Sequence, residues 1–111
     1  MNGLIAKSSK PDLGRRALSA TQLVARLARL EGWKLSGDGD AVVIEKSFTF
    51  ANYFETMAFV NAVAFVAHRQ DHHPDLLVHY DRCVVRLSTH DAHGITATDF
   101  DCAAQINALL S

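Results

Sequence analysis

The sequence predicts an α+β two-layer sandwich, a four-stranded antiparallel sheet with three helices on one face, in the order α-β-β-α-β-β-α. Three observations predict it. A capping side chain followed three places later by an acid or amide, the signature of a helix start, occurs at Ser19/Gln22, Asn52/Glu55 and Thr96/Asp99. Between these starts the apolar period changes twice from helical to alternating. The alternating stretches come in adjacent pairs, which favours one antiparallel sheet.

The first helix is expected over about 19–31. There Leu23, Val24, Leu27, Ala28 and Leu30 recur at helical spacing opposite Arg26 and Arg29, and Gly32 follows as a stop. Trp33 and Leu35 precede the turn cluster Gly37-Asp38-Gly39-Asp40. Val42, Ile44, Phe48 and Phe50 then alternate with Val43, Glu45, Ser47 and Thr49, which reads as a hairpin. The second helix starts after Asn52, and its stretch 54–67 is apolar almost all the way round. Such a helix in a small domain either lies deep in the core or shows a second apolar face to another subunit, so an oligomer is expected. The aromatic side chains Trp33, Phe48, Phe50, Phe54, Phe59 and Phe65 are read as core. A second hairpin follows Pro74, with Leu76, Val78 and Tyr80 on one strand and Cys83, Val85, Leu87 and Thr89 on the next. The third helix, from about 99 to 110, places Cys102, Ala103, Ile106, Leu109 and Leu110 on one stripe.

A chain of 111 residues holds one core, expected here over 17–111 behind a flexible tail at 1–16. Hydrophobic residues at 49% against 21% charged describe a folding chain, and a formal charge of −1 gives no global field to recruit nucleic acid. The uncharged stretch 56–67 is shorter than the roughly 18 apolar residues of a membrane span. The tail lacks the apolar run of a secretory signal. Cys83 and Cys102 form no CxxC pair and sit among apolar neighbours, as buried thiols do in a reducing compartment, so a cytoplasmic location is expected.

All six histidines fall between His68 and His93. Imidazole exchanges protons near neutrality, so a cluster brought together by folding suits acid/base work or metal binding. His68 and His72 stand four apart and would share a face if the second helix ran that far. The metal reading lacks support: no cysteine stands beside the histidines and HExxH is absent, so no metal is assigned. In His72-His73-Pro74 the proline ends the helix and fixes two imidazoles at a helix-to-strand corner; the plain alternative is a solvated, helix-capping loop. Thr89-His90 lies at the far end of the fourth strand. If strands three and four pair through a turn near Asp81, residues 72–74 and 89–91 share one end of the hairpin and His79 falls at the other. Asp99 reads first as the acid partner of the Thr96 cap. Arg82 and Arg86 share a strand face, as solvent-facing basic residues commonly do.

These residues carry a family likeness. Gly32-Trp33, Phe48-Thr49-Phe50, the helix at 54–66, His72-His73-Pro74, Tyr80, Thr89-His90, Gly94-Ile95-Thr96 and Asp99, taken together, resemble the pterin-4a-carbinolamine dehydratase family over almost the whole chain after the tail. The specific element is the spacing: an aromatic six places beyond Pro74, a histidine ten beyond that and an aspartate nine further on.

The resemblance implies an enzyme that converts 4a-hydroxytetrahydropterin to quinonoid dihydropterin and water, as part of tetrahydropterin recycling, by histidine acid/base catalysis. It implies neither metal nor organic cofactor. His72, His73 and His90 take the catalytic positions, and His68, Pro74, Thr89 and Asp99 the substrate-binding ones. The family's usual acid four places before the histidine pair is His68 here, a departure that implies a slower enzyme or a different response to pH. The implied partners are a pterin and further copies of the chain in a homodimer or homotetramer built on the second helix and the sheet edge. The other implied reading is a non-enzymatic dimerisation, coactivator or assembly protein on the same fold.

Overall fold

The structure, a computed structural model, describes residues 16–37 and 41–111. The expected flexible tail over 1–16 lies, apart from Arg16, outside the described residues, as do three of the residues between the first two strands. The elements are α1 (Ala20–Leu27), β1 (Lys34–Ser36), β2 (Val43–Thr49), α2 (Tyr53–Gln70), β3 (Asp75–Val78), β4 (Arg82–Leu87), a single 3-10 turn (His90–Ala92) and α3 (Ala97–Ala108). The order is the expected α-β-β-α-β-β-α, and the strands form one antiparallel sheet in the sequence β1-β2-β4-β3.

Strand alternation sorts the two faces of this sheet. Ile44 and Phe48 of β2 and Cys83, Val85 and Leu87 of β4 are buried against the helices, while Ser47, Thr49, Arg82 and Arg86 lie exposed on the other face. On that open face Lys34, Glu45, Arg86 and Asp75 stand opposite one another in register, alternating in sign across all four strands. The Arg86 Nε donates to Glu45 Oε1 at 2.9 Å, so this arginine is held by its cross-strand neighbour.

Helix α1 is shorter than the predicted 19–31. After Leu27 the chain tightens, with Arg29 and Leu30 donating to the carbonyls three places back, at 3.1 Å each. It then turns at Gly32, whose φ is +85° and where a Cβ would meet the Lys46 side chain at 2.6 Å. Lys46 reaches across this turn to Glu31 O and to Asn107 Oδ1, the same oxygen that accepts the Trp33 indole N–H. That cluster ties the turn after α1, the sheet and α3 together.

Helix α2 buries Thr56, Phe59, Val63, Val66 and Ala67. Phe59 packs at a tilt between Phe48 and Phe50, with ring centroids 4.6 and 5.1 Å away. The Thr56 hydroxyl, an apparent polar interruption in the sequence, bonds Asn52 O at 2.9 Å and Tyr80 O at 3.0 Å, pinning the helix start to the β3–β4 turn. Two of the aromatic residues read as core are not: Phe54 is 81% exposed and Phe65 61%. They lie three turns apart on the face of α2 turned away from the sheet, so the helix is buried on one side and apolar on the other. Among the described residues no helix is long and apolar enough to cross a membrane.

Candidate active site

The histidine-bearing corner is built by the end of α2. Asp71 takes a left-handed conformation, φ +53°, and the two backbone N–H groups that follow the helix fold back onto it: Asp71 to His68 O at 3.2 Å and His72 to Ala67 O at 3.1 Å. This is a Schellman closure with aspartate where glycine is commonest, a conformation that short polar side chains tolerate. The helix therefore stops at Gln70, and His72 leaves it. The reading in which His68 and His72 share a helical face is corrected here. Pro74 then leads the chain into β3.

The facing wall comes from the chain after β4. Asp75 pairs with Arg86, and the same register carried back along β3 sets His73 opposite Ser88 and His72 opposite Thr89. Thr89 bridges to Gly94, its N–H donating to Gly94 O at 2.9 Å, which pinches the base of the loop containing the 3-10 turn. The result is a cleft of about 240 Å³ lined by Asp71, His72, His73, Ser88, Thr89, His90 and Asp91. The three histidines from two separate stretches thus share one cavity. His79 sits at the opposite end of the hairpin, its N–H on Arg82 O.

Within the cleft the three imidazoles are not equivalent. His73 and His90 are exposed. His72 is buried, and its Nε2 meets Asp99 Oδ1 at 2.5 Å. The Asp99 carboxylate is wholly buried; its other oxygen accepts the Thr89 hydroxyl at 2.8 Å and the Thr96 N–H at 2.9 Å. With these two donors on Oδ2, Oδ1 is left against the His72 imidazole. The acid of the helix cap is thus also the anchor of a cleft histidine.

The remaining sequence-predicted site residues fall as follows. Thr89 lines the cleft but is buried, with its hydroxyl turned to Asp99. Asp99 lies beneath the cleft, outside its lining, and is bonded to two of the lining residues, His72 and Thr89. Pro74 shapes the corner, and neither it nor the exposed His68 belongs to the lining. Asp71, Ser88 and Asp91 line the cleft without having been singled out in the sequence. The signal for Asp71 was its place directly before His72-His73-Pro74, where a helix must end. Among the described residues no group of three or more His, Cys, Asp or Glu side chains could hold a metal ion.

A larger hollow, about 500 Å³, lies between α1 and α3 and is lined by Arg26, Arg29, Leu30 and Phe100 among others, none of which titrates near neutrality. The smaller cleft is the one that carries proton-transfer groups, and chemistry rather than volume selects it.

The model of a family described as Pterin 4 alpha carbinolamine dehydratase matches residues 16–109. A provisionally named pterin-4-alpha-carbinolamine dehydratase of Paracidovorax citrulli (strain AAC00-1) is 62% identical over 110 residues, covering 99% of this chain and 95% of the relative. One of the same name from Stenotrophomonas maltophilia (strain K279a) is 53% identical over 92 residues, covering 83% and 78%. The crystal structure of a transcriptional coactivator/pterin dehydratase from Brucella melitensis superposes with a TM-score of 0.80 at 29% identity, covering 86% of this chain and all of that one. A pterin dehydratase-like protein identified as a RuBisCO assembly factor in the alpha-carboxysome shares the fold, with a TM-score of 0.60 at 22% identity, covering 71% and 89%.

Proposed function

This chain belongs to the pterin-4-alpha-carbinolamine dehydratase family, and from that premise we propose that its histidine cleft dehydrates 4a-hydroxytetrahydropterin to quinonoid dihydropterin. The observation that carries the reading is the meeting of His72, His73 and His90 in one cavity.

The reaction breaks the C4a–O bond. One proton must reach the leaving hydroxyl so that it departs as water, and one must leave a pterin nitrogen as the C=N bond forms; no electrons are gained or lost overall. Imidazole suits both transfers because its ordinary pKa, about 6.5, lies near neutrality. In this reading an imidazole of the His72–His73 pair delivers the first proton, and His90 lies against the pterin ring from the opposite wall. Asp99 keeps His72 turned to its task, in the manner of a buried acid behind a catalytic imidazole. The chemistry asks for no metal or organic cofactor.

The reading extends to tetrahydropterin recycling in the cytoplasm, and to an assembly of identical chains that covers Phe54 and Phe65 on α2. Those exposed rings also favour a second reading, a coactivator or assembly protein on the same fold; the name of the Brucella melitensis protein joins transcriptional coactivator with pterin dehydratase.

One assay decides between them. Purified protein is added to 4a-hydroxytetrahydropterin generated in solution, and the spontaneous rate is subtracted. A protein-dependent loss of the substrate supports the dehydratase, and a rate equal to the spontaneous one rejects it in favour of the partner protein.

A further inference from the structure

Two threonine hydroxyls complete the surroundings of Asp99. Thr89 follows β4 and Thr96 caps α3; they are 2% and 0% exposed, and their Oγ1 atoms lie 2.7 Å apart. Thr89 Oγ1 is 2.8 Å from Asp99 Oδ2, whereas Thr96 Oγ1 stands back at 3.4 Å. An ionised carboxylate only accepts, so the closer hydroxyl, Thr89, donates to it. The Thr89 oxygen then has lone pairs but no further proton for Thr96, and the Thr96 hydroxyl must donate to Thr89. The protons therefore run in one direction, Thr96 to Thr89 to Asp99 Oδ2. With Oδ2 held by the Thr89 hydroxyl and the Thr96 N–H, Oδ1 is set against His72 Nε2.

We propose that Thr89 and Thr96 are positioning residues for His72: they lock the rotation of the Asp99 carboxylate and so keep the imidazole proton on Nε2. Rotating the carboxylate would break the Thr89 and Thr96 bonds together, and all three residues are buried, so the broken bonds have no solvent-exposed position to turn to. His72 accordingly enters the reaction in one tautomer. Replacing threonine by valine keeps the shape and removes the hydroxyl; replacing it by serine keeps the hydroxyl and removes a methyl.

The kinetic part of this inference rests on the dehydratase reading, and the spectroscopic part does not. The test uses the full chain with Thr89→Val, Thr96→Val, Thr89→Ser and Thr96→Ser. Nitrogen-15 spectra of the His72 imidazole, without substrate, show which ring nitrogen carries the proton, and steady-state dehydration separates kcat from KM. The unaltered protein and the serine variants are expected to show the Nε2–H form. Thr89→Val is expected to show a mixture of tautomers, with kcat lowered about tenfold and KM within about twofold, the pattern of a misplaced group rather than lost binding. Thr96→Val is expected to shift the same signals less, and it supplies the test should Thr89→Val fail to fold. An unchanged His72 spectrum in a folded valine variant overturns the inference, as does a loss of kcat that serine does not restore. If the unaltered protein shows no dehydration the functional reading fails, while the spectra still decide the positioning role.

Discussion

The imidazole of His72 and the carboxylate of Asp99 meet at 2.5 Å, Nε2 to Oδ1, across an interior in which His72 is 6% exposed and Asp99 not at all. The two come from opposite ends of the cleft's construction, one from the closure of α2 and the other from the first turn of α3. Their bond joins the helix that ends at the site to the helix that begins behind it.

Asp99→Asn tests this bond. The amide keeps the shape but replaces one acceptor oxygen by a donor, which must face either His72 or the Thr89 and Thr96 donors. Either choice breaks a buried hydrogen bond to a charged group, worth about 1.5–3 kcal/mol. Urea unfolding is expected to show a loss of that size. Dehydration is expected to fall by about a hundredfold, since the imidazole loses the group that orients it. A variant as active as the unaltered protein would remove Asp99 from the mechanism.

The three histidines are expected to separate when each is changed to alanine. His73 and His90 are exposed, so their loss should alter stability by no more than about 0.5 kcal/mol while lowering the dehydration rate by about a hundredfold or more. His72→Ala should lose both rate and stability, the latter by about 1–3 kcal/mol, because the buried Asp99 Oδ1 is left without its hydrogen-bond partner. Parallel rate and denaturation measurements on the three proteins check the contrast. Three undiminished rates would reject the site.

What the sequence reveals of this fold follows from which contacts are local. The alternation of Ile44 and Phe48 with Ser47 and Thr49 reports strand burial directly, and Ser19, Asn52 and Thr96 mark helix starts because a cap bonds within its own first turn. His72-His73-Pro74 marks the corner for the same reason. Phe54 and Phe65 differ from the buried Phe59 only in their angle around α2, and that angle has meaning only against the sheet, so composition could not sort them. Asp99 shows the boundary most sharply. Its bond to the Thr96 N–H spans three residues and is legible, while its bond to His72 spans 27 and exists only because the β3–β4 register carries His72 alongside Thr89.

The exposed face of α2 yields an expectation about assembly. Phe54 and Phe65 share that face with Ala58 and Asn61, and Phe54 and Ala58 also border an apolar groove of about 410 Å³ completed by Leu109 and Leu110. Light scattering is expected to give a multiple of the 12.2 kDa chain mass, and Phe54→Glu combined with Phe65→Glu is expected to bring it down to 12.2 kDa. A 12.2 kDa mass for the unaltered protein would show that no second copy covers this face.

The two buried cysteines are expected to make the stability of the protein fall at alkaline pH. Cys83 and Cys102 are both fully buried. Burial, and then the negative charges of Asp99 and Asp101, push the Cys102 thiol up to about 11; burial alone raises that of Cys83. In the unfolded chain a thiol ionises near pH ~8.5. A group whose pKa is higher folded than unfolded contributes stability that is complete below the unfolded value and is lost as pH rises towards the folded one. Between about pH 8.5 and 11 the unfolded chain therefore releases a proton that folded Cys102 retains, and unfolding becomes easier with each step in pH. Urea midpoints measured across this range should decline, and Cys102→Ala, though less stable at pH 7 by about 1 kcal/mol, should decline less steeply. Every other titratable group is common to the two proteins, so the difference between the two slopes isolates the thiol. Equal slopes would mean that Cys102 loses its proton as readily in the folded protein as in the unfolded one, and that burial does not hold its thiol protonated.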